Sequence, residues 1–310
     1  MIVCCGEALI DFLPVTDSEG HKAYRPVVGG SVFNVALTLG RLGAPTAFLG
    51  GLSTDFFGDR LIAALAESNV STAGVARQPR PTTLALVDMS TGEPAYAFYD
   101  EGSACREFDP MAGVPQGDDV AAMHFGSFPL GTEPVGSRLV ALLKTNAGRR
   151  VISLDPNVRP TLIEDAAAYR ARLADITPLA DIVKTSVADL AWLHPGDDPD
   201  AIARRWLAAG VGLVVVTHGG AGATGMTENL SVNMPAMPTA AVDTVGAGDS
   251  FMGAILTRLD ERGLLDRRAI RQLDREALED VLAFAGKVAA ITCSRPGADP
   301  PWRRELAISG

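Results

Sequence analysis

Cysteine is scarce in this 310-residue chain, and its four occurrences form no pattern typical of a metal site or a disulfide framework. No two cysteines are spaced as C-x-x-C, and no cysteine–histidine cluster has the spacing of zinc ligands. The adjacent Cys4 and Cys5 fall in an apolar run that predicts a buried strand. We therefore exclude a zinc domain and a disulfide scaffold, and we expect a reducing compartment.

Long hydrophobic runs and a surplus of positive charge are lacking as well. No apolar run approaches the roughly 20 residues that a membrane-spanning helix needs, and the first residues contain no basic leader, so we predict neither a membrane anchor nor a signal peptide. The formal net charge is −10, and such a chain is repelled by the phosphates of nucleic acids. The expected location is cytoplasmic, and neither a membrane nor a nucleic acid is an expected partner.

The composition, with 47% hydrophobic and 21% charged residues, can bury a large core. Short apolar runs alternate with stretches of helical periodicity, which predicts a mainly parallel central sheet covered by helices on both faces. The strand-like runs are 2–5, 46–49, 120–125, 151–154, 182–183 and 213–217, and the helical stretches are 32–42, 57–66, 133–147, 165–176 and 200–209. No repeat or low-complexity linker interrupts the pattern, so we predict a single α/β domain over residues 1–310.

Two segments, at about 12–28 and 82–108, break this alternation. Their apolar residues tend to recur at every second position, as at Leu84 and Leu86, and neither segment has a convincing helical pattern. We predict that they form a small antiparallel β lid attached to the main sheet.

Residues 243–251 carry the strongest chemical signal, the string D-T-V-G-A-G-D-S-F. Gly246, Ala247 and Gly248 open a predicted helix with almost no side-chain bulk. Free N–H groups and the helix dipole make such a start an anion site. Asp249 stands in its first turn, beside any bound anion. That position suits a base that accepts a proton from an attacking hydroxyl, although an ordinary helix N-terminal acid is the alternative from the residues alone.

Polar groups near the N-terminus suggest a second ligand site. Gly29 and Gly30 lead into a helix, so the backbone can approach a ligand, and Asn34 lies one turn further on. Asp11 follows the first strand, where parallel sheets meet their ligands. A simple glycine turn with a solvent-facing Asn34, and a turn-forming Asp11, are the alternatives.

Two later strands end in groups suited to phosphate. Arg159, in the string D-P-N-V-R, offers a fork of donors for phosphate oxygens, or it caps the following loop. Lys184 is followed by Ser186 and Asp189, an oxygen and a carboxylate one helical turn apart. From the residues alone, that spacing is typical of a capping box at a helix start.

A glycine-rich segment, 217–225, matches G-x-G-x-x-G after a predicted strand. No helical pattern follows it, so the context of a dinucleotide-binding fold fails. We predict instead a hairpin whose backbone passes close to a nucleotide. No P-loop string occurs in the chain.

These motifs, in this order, resemble the ribokinase-like (PfkB) carbohydrate kinase family, and its fructokinase branch in particular. Residues 243–251 match its second signature, D-T-x-G-A-G-D-x-F, without a gap, and residues 29–36 resemble its first, G-G-x-x-x-N-x-A. The strings G-E-x-L-x-D, H-F-G-S and D-P-N-x-R are similar to those of fructokinases. The resemblance covers nearly the whole chain and implies a ribokinase-like α/β fold with a β lid.

The resemblance also implies a role for each matching position. It makes Asp249 the catalytic base and Gly246, Ala247 and Gly248 the anion hole. It assigns the sugar to Asp11, Gly29, Gly30, Asn34, Phe98 and Arg159. It assigns the nucleotide to Lys184, Ser186, Thr217, Gly219, Gly222 and Gly286. It assigns Asp189 to magnesium binding. It assigns Asp243, Val245, Thr292 and Gly297 to the binding of a monovalent cation such as K⁺.

We therefore expect an ATP- and Mg²⁺-dependent kinase that phosphorylates a primary hydroxyl of fructose and forms a homodimer through its lid. Two departures temper this expectation: most relatives carry Asn-x-x-Glu at Ser186 and Asp189, and many fructokinases have Arg where this chain has Asp100. The alternatives are a 2-keto-3-deoxygluconate kinase or another sugar or ribose kinase, and a non-catalytic sugar-binding regulator. The intact Asp249 and its glycines disfavour the regulator.

Overall fold

A computed structural model describes residues 1–88, 95–113 and 119–307 of the chain. The strands in these ranges are β1 (Ile2–Cys5), β2 (Leu9–Thr16), β3 (Lys22–Gly29), β4 (Thr46–Leu49), β5 (Gly51–Ser53), β6 (Val70–Ser71), β7 (Ala76–Gln78), β8 (Leu84–Asp88), β9 (Ala95–Tyr99), β10 (Ala122–Gly126), β11 (Val151–Asp155), β12 (Ile182–Ser186), β13 (Leu213–Thr217), β14 (Ala223–Met226) and β15 (Ser231–Met234). The helices are α1 (Ser31–Leu42), α2 (Phe56–Glu67), α3 (Val135–Asn146), α4 (Ala166–Ile176), α5 (Val187–Leu193), α6 (Pro199–Ala208), α7 (Ala247–Glu261), α8 (Arg267–Arg271) and α9 (Arg275–Cys293). None of these helices is both long and apolar enough to cross a membrane.

The main sheet of the described residues has nine strands in the order β15-β14-β13-β12-β11-β10-β1-β4-β6. The strands from β13 to β6 are parallel, and the hairpin β14–β15 continues the sheet antiparallel at one edge. This arrangement confirms the predicted, mainly parallel sheet. It also brings the carboxyl ends of β1, β10, β11 and β12 to one edge.

Alternating strand residues pack against helices on opposite faces of the sheet. Ile2 and Cys4 of β1 join the core formed with α1, α7 and α9. Val3 and Cys5 of the same strand join the core formed with α3, α4 and α6. Two-sided burial explains why these strands are continuous apolar runs.

The lid is a separate four-stranded sheet in the order β3-β2-β8-β9. Its hairpins are antiparallel, but β2 pairs with β8 in parallel, so the prediction of a purely antiparallel lid is wrong. The physical reason is the connection: the chain leaves the lid after β3, builds α1 to β7, and returns to run alongside β2 in the same direction. Residues 89–94 of the predicted lid segment lie outside the described residues.

The crossing of α1 and α7 positions two chain segments that carry predicted site residues. Gly253 of α7 faces Thr38 of α1, and a Cβ on Gly253 would lie 2.7 Å from Thr38 Cβ. Asn34 and Asp249 each lie one turn before these contact residues, and both are buried. The close approach of the two helices therefore sets the distance between Asn34 and Asp249.

We predict that Gly253→Ala lowers the free energy of unfolding by about 1–3 kcal/mol, because the added methyl must push the two helices apart. The measurement is urea unfolding. The matched control is Gly286→Ala in α9, where a Cβ meets nothing closer than Met237 Cγ at 3.9 Å. That variant should be as stable as the wild type or up to about 1 kcal/mol more stable, as expected for removing a glycine from a helix. Equal stability of both variants would contradict the crossing argument.

Candidate active site

A cavity of about 300 Å³ opens at the carboxyl edge of the main sheet, beneath the lid. Its floor comes from the segments after β1, β10 and β11 and from the starts of α1 and α7, and its roof includes lid residues. The predicted residues that line it are Asp11, Gly30, Asn34, Phe98, Arg159, Lys184, Val245, Gly246, Gly248 and Asp249. The fold thus brings together positions that are up to 238 residues apart in the sequence, from Asp11 to Asp249.

Asp249 is the third residue of α7, and its carboxylate is held by three side chains. Ser31 Oγ donates to its Oδ1 at 2.7 Å and Asn34 Nδ2 donates to its Oδ2 at 2.9 Å. Asn157 Nδ2 lies 3.2 Å from Oδ1. A helix N-terminal acid with no other function needs none of these partners, so the geometry favours the base interpretation of Asp249. Asn34 therefore contacts Asp249. It is buried, which contradicts the alternative interpretation of a solvent-facing Asn34.

Glu7 connects β1 to the start of α1. Its Oε1 accepts a hydrogen bond from the Ser31 N–H at 2.7 Å, and its side chain is buried. Burial raises the pKa of Glu7 to about 7, and the charge of Asp249 adds to this rise, while the Ser31 N–H opposes it. Glu7 thereby holds Ser31 in place to donate to Asp249.

Asp11 faces the cavity from β2 of the lid. A Cβ on Gly29 of β3 would overlap Asp11 Oδ2, so the carboxylate keeps this position only because residue 29 has no side chain. Burial raises the pKa of Asp11 to about 6, against the opposing effect of the nearby Arg159. Gly29 therefore affects the cavity through the position of the Asp11 carboxylate.

Lys184 and Asp155 form a buried ion pair beside the start of α7. The Lys184 Nζ lies 2.7 Å from Asp155 Oδ2, and a Cβ on Gly248 would lie 2.8 Å from the same Nζ. Burial raises the pKa of Asp155 to about 6, with Lys184 opposing the rise. Burial lowers the pKa of Lys184, but the charges of Asp155, Asp249 and Asp189 outweigh it and raise the pKa overall. The ammonium group and the N-terminus of α7 thus concentrate positive charge at one point.

Ser186 and Asp189 form the capping box that was the alternative to a magnesium site. Ser186 Oγ accepts from the Asp189 N–H at 3.0 Å, and Asp189 Oδ2 accepts from the Ser186 N–H and hydroxyl. Asp189 Oδ1 accepts from the Val158 N–H at 2.8 Å. Oδ2 is filled by two donors, whereas Oδ1 has one donor and keeps one acceptor position, so the capping box is present and leaves a magnesium ion at most one oxygen of Asp189. Among the described residues no cluster of three His, Cys, Asp or Glu side chains could hold a metal ion.

Of the predicted nucleotide residues, Lys184 is buried at the cavity, and those after β13 and on α9 lie on a more open side of the structure. Thr217 ends β13, Gly219 follows it at an exposed turn, and Gly286 of α9 faces Met237. Packing alone also requires a glycine at position 222, because a Cβ there would overlap the Met234 carbonyl oxygen. The predicted hairpin after β13 is confirmed.

The predicted monovalent-cation residues surround the loop before α7. Asp243 Oδ1 accepts from the Val245 N–H at 3.0 Å, and its Oδ2 accepts from the Gly297 N–H at 2.9 Å. Thr292 is buried, and its hydroxyl donates to the Val288 carbonyl. Asp243 therefore joins two loops, and the backbone carbonyls are the remaining oxygens for a cation.

The sequence did not assign Glu7, Ser31, Ser127 or Asn157, although all four line the cavity. Each lies within two residues of the end of a strand or directly after a glycine pair, and that position was the one signal that could have identified them. Ser127 and Asn157 also have positive φ angles, 63° and 38°. Such backbone strain is concentrated at functional sites, but it cannot be inferred from residue type.

We predict that Glu7→Gln changes how stability depends on pH. The folded wild type keeps a proton on Glu7 up to a pKa of about 7, against 4.5 for the free side chain. Raising the pH from 4.5 to about 7 forces the buried Glu7 to become charged in the folded state. The free energy of unfolding of the wild type should therefore fall by about 3 kcal/mol relative to that of the variant. Chemical unfolding from pH 5 to 8.5 measures the difference. The exposed Glu67→Gln variant serves as control, and a pH-independent difference for Glu7→Gln would contradict the assignment.

The comparisons with known proteins agree with this geometry. The pfkB family carbohydrate kinase model matches residues 1–304. A fructokinase from Rhizobium leguminosarum bv. trifolii is 45% identical over 280 residues, which cover 90% of this chain and 86% of that protein. Fructokinase-1 of Oryza sativa subsp. japonica is 32% identical over 317 residues, with coverages of 99% and 96%.

Solved structures show the same fold. A fructokinase from Xylella fastidiosa with bound ATP has a TM-score of 0.91 and 28% identity, covering 99% of this chain and 97% of that chain. A fructokinase from Vibrio cholerae O395 bound to fructose, ADP and calcium ion has a TM-score of 0.85 and 26% identity, with the same coverages. The resemblance drawn from the motifs is confirmed: the chain belongs to the pfkB family of carbohydrate kinases and is a phosphotransferase that acts on a sugar hydroxyl.

Proposed function

We propose that this protein is an ATP-dependent fructokinase that transfers the γ-phosphoryl group to a primary hydroxyl of fructose. The observation that carries the proposal is the Asp249 carboxylate. It is oriented by three side chains and lies in one cavity with Arg159 and Lys184. The fructokinases that match this chain supply the choice of sugar.

Asp249 accepts the proton of the attacking hydroxyl. A carboxylate is far too weak a base to form an alkoxide beforehand. It takes the proton as the loose phosphoryl transition state develops. The N–H groups at residues 246–248 and the Lys184 ammonium group lie where the transferring group would carry charge. The Ala247 N–H donates a long hydrogen bond of 3.3 Å to the Thr244 carbonyl oxygen. A phosphate oxygen can replace this carbonyl as the acceptor.

ATP enters as its magnesium complex, on the open side formed by the hairpin after β13 and by α9. Gly286 and the exposed Met237 and Val242 offer a small-residue and apolar surface suited to a purine. The phosphates of ATP would hold most of the magnesium ion's coordination sphere, and Asp189 would offer at most the open position on its Oδ1. A K⁺ ion beside Asp243, held by the carbonyls of Val245, Thr292 and Gly297, would stiffen the loop that leads into α7.

The sugar pocket favours a neutral sugar over a sugar acid. Asp11, Glu7 and Asn34 present hydrogen-bonding oxygens or an amide, and Phe98 and Phe128 pack 6.1 Å apart as an apolar wall. A ketodeoxygluconate carboxylate would meet the carboxyl groups of Glu7 and Asp11, and Arg159 is the cation that already faces Asp11. Fructose needs no such compensation.

The decisive measurement is ADP release over a panel of sugars. We expect turnover with fructose, and we expect Asp249→Asn to lower kcat by about 10²- to 10⁴-fold, as for loss of a general base. The control is Asp260→Asn, near the far end of the same helix, which should keep wild-type activity. Turnover with ketodeoxygluconate alone would overturn the choice of sugar, and no turnover with any sugar would overturn the kinase assignment.

The lid also supports a proposed homodimer. The sheet order leaves β3 and β9 at its edges, and Tyr24 and Tyr99 on these strands are 48% and 62% exposed. Exposed strand edges and aromatic groups are features that a second lid can cover. Sedimentation of the wild type should give twice the monomer mass, and Tyr99→Glu should shift it to the monomer. A monomeric wild type would contradict the dimer.

A further inference from the structure

The three donors around Asp249 divide its two oxygens unequally. Oδ1 receives both the Ser31 hydroxyl and the Asn157 amide, whereas Oδ2 receives the Asn34 amide. Each carboxylate oxygen offers about two acceptor positions. Oδ1 is therefore filled, and one acceptor position remains on Oδ2. That position is the one open to a sugar hydroxyl.

The Asn157 side chain forms hydrogen bonds on two sides, and its backbone has a left-handed conformation. It follows β11 with a φ of 38°, a left-handed conformation that a side chain other than glycine rarely adopts. Its Nδ2 donates to Ser31 Oγ at 2.6 Å and lies 3.2 Å from Asp249 Oδ1. Its Oδ1 accepts from Arg159 Nη1 at 2.6 Å. One amide group thus connects the carboxylate to the arginine.

We propose that Asn157 is a positioning residue that aligns the two sides of phosphoryl transfer. Its amide nitrogen turns Asp249 so that Oδ2 faces the sugar hydroxyl, and its amide oxygen holds Arg159 towards the phosphoryl group. The hydroxyl proton passes to Oδ2, the sugar O–P bond forms, and the electron pair of the broken O–P bond leaves with ADP. This inference rests on the proposed function, in which Asp249 is the base.

The geometry also explains why an asparagine stands at a strained position. Glycine would adopt the left-handed backbone without cost, and asparagine adopts it more readily than most other residues. Glycine cannot supply a donor to Asp249 or an acceptor to Arg159. Asparagine therefore combines a tolerated left-handed backbone with the amide group that both contacts need.

Two substitutions separate the two contacts of Asn157. Asn157→Gly removes both contacts and relieves the backbone, so we expect an unchanged or higher Tm. We expect kcat to fall by about 10- to 100-fold, as for loss of a hydrogen bond to a charged group. Asn157→Asp keeps an oxygen for Arg159 but faces Asp249 with an acceptor. We expect its kcat to fall at least as far, with the KM for MgATP retained.

The matched control is Asn69→Gly, which makes the same change at an exposed asparagine with a φ of 60°. It should keep the wild-type kcat and KM. Wild-type kcat in either Asn157 variant would overturn the inference, and so would a fall in Tm that parallels the fall in kcat. A wild type that phosphorylates no sugar would instead overturn the proposed function itself.

Discussion

The contact between the starts of α1 and α7 is the constraint on which the site depends. Ser31 and Asn34 of α1 meet Asp249 of α7, and Gly253 lets the helices approach closely one turn further on. These helices come from opposite ends of the chain, and both pack on the same face of the main sheet, which fixes their relative height. A small change in packing at the crossing would therefore alter the direction in which the Asp249 carboxylate faces before it altered the fold.

The site also collects buried carboxyl groups at an energetic cost. Glu7, Asp11 and Asp155 all have a raised pKa because burial penalises their charged forms. Lys184 and Arg159 compensate only in part. A bound sugar that donates hydroxyls to Glu7 and Asp11, and a phosphoryl group that faces Lys184 and Arg159, would each relieve part of this cost. In the proposed function, the same groups that destabilise the free protein would therefore favour binding of the two substrates.

The sequence predicted the main sheet well because two-sided burial makes each parallel strand an apolar run. It could not predict the parallel pairing of β2 with β8, since strands so distant in the chain give no local sign of direction. For the site, motifs identified Asp249, Asn34 and Arg159, whereas the role of Asn157 depends on a left-handed turn after β11 that residue type alone does not specify. The capping box at Ser186 was visible in the sequence only as one of two alternatives.

The structure gives Asp100, where many fructokinases have arginine, a different role from the one that the sequence suggested. An arginine there would bring a cation to the lid, and its replacement by an acid suggested a different sugar. Asp100 is instead buried, and it accepts hydrogen bonds from the Thr83 and Ser103 hydroxyls at 2.6 and 2.8 Å. Its carboxylate fixes the end of β9 against the start of β8. Phe98 lies two residues before Asp100 in the chain and lines the cavity, so we expect Asp100 to affect the sugar site through the position of that ring.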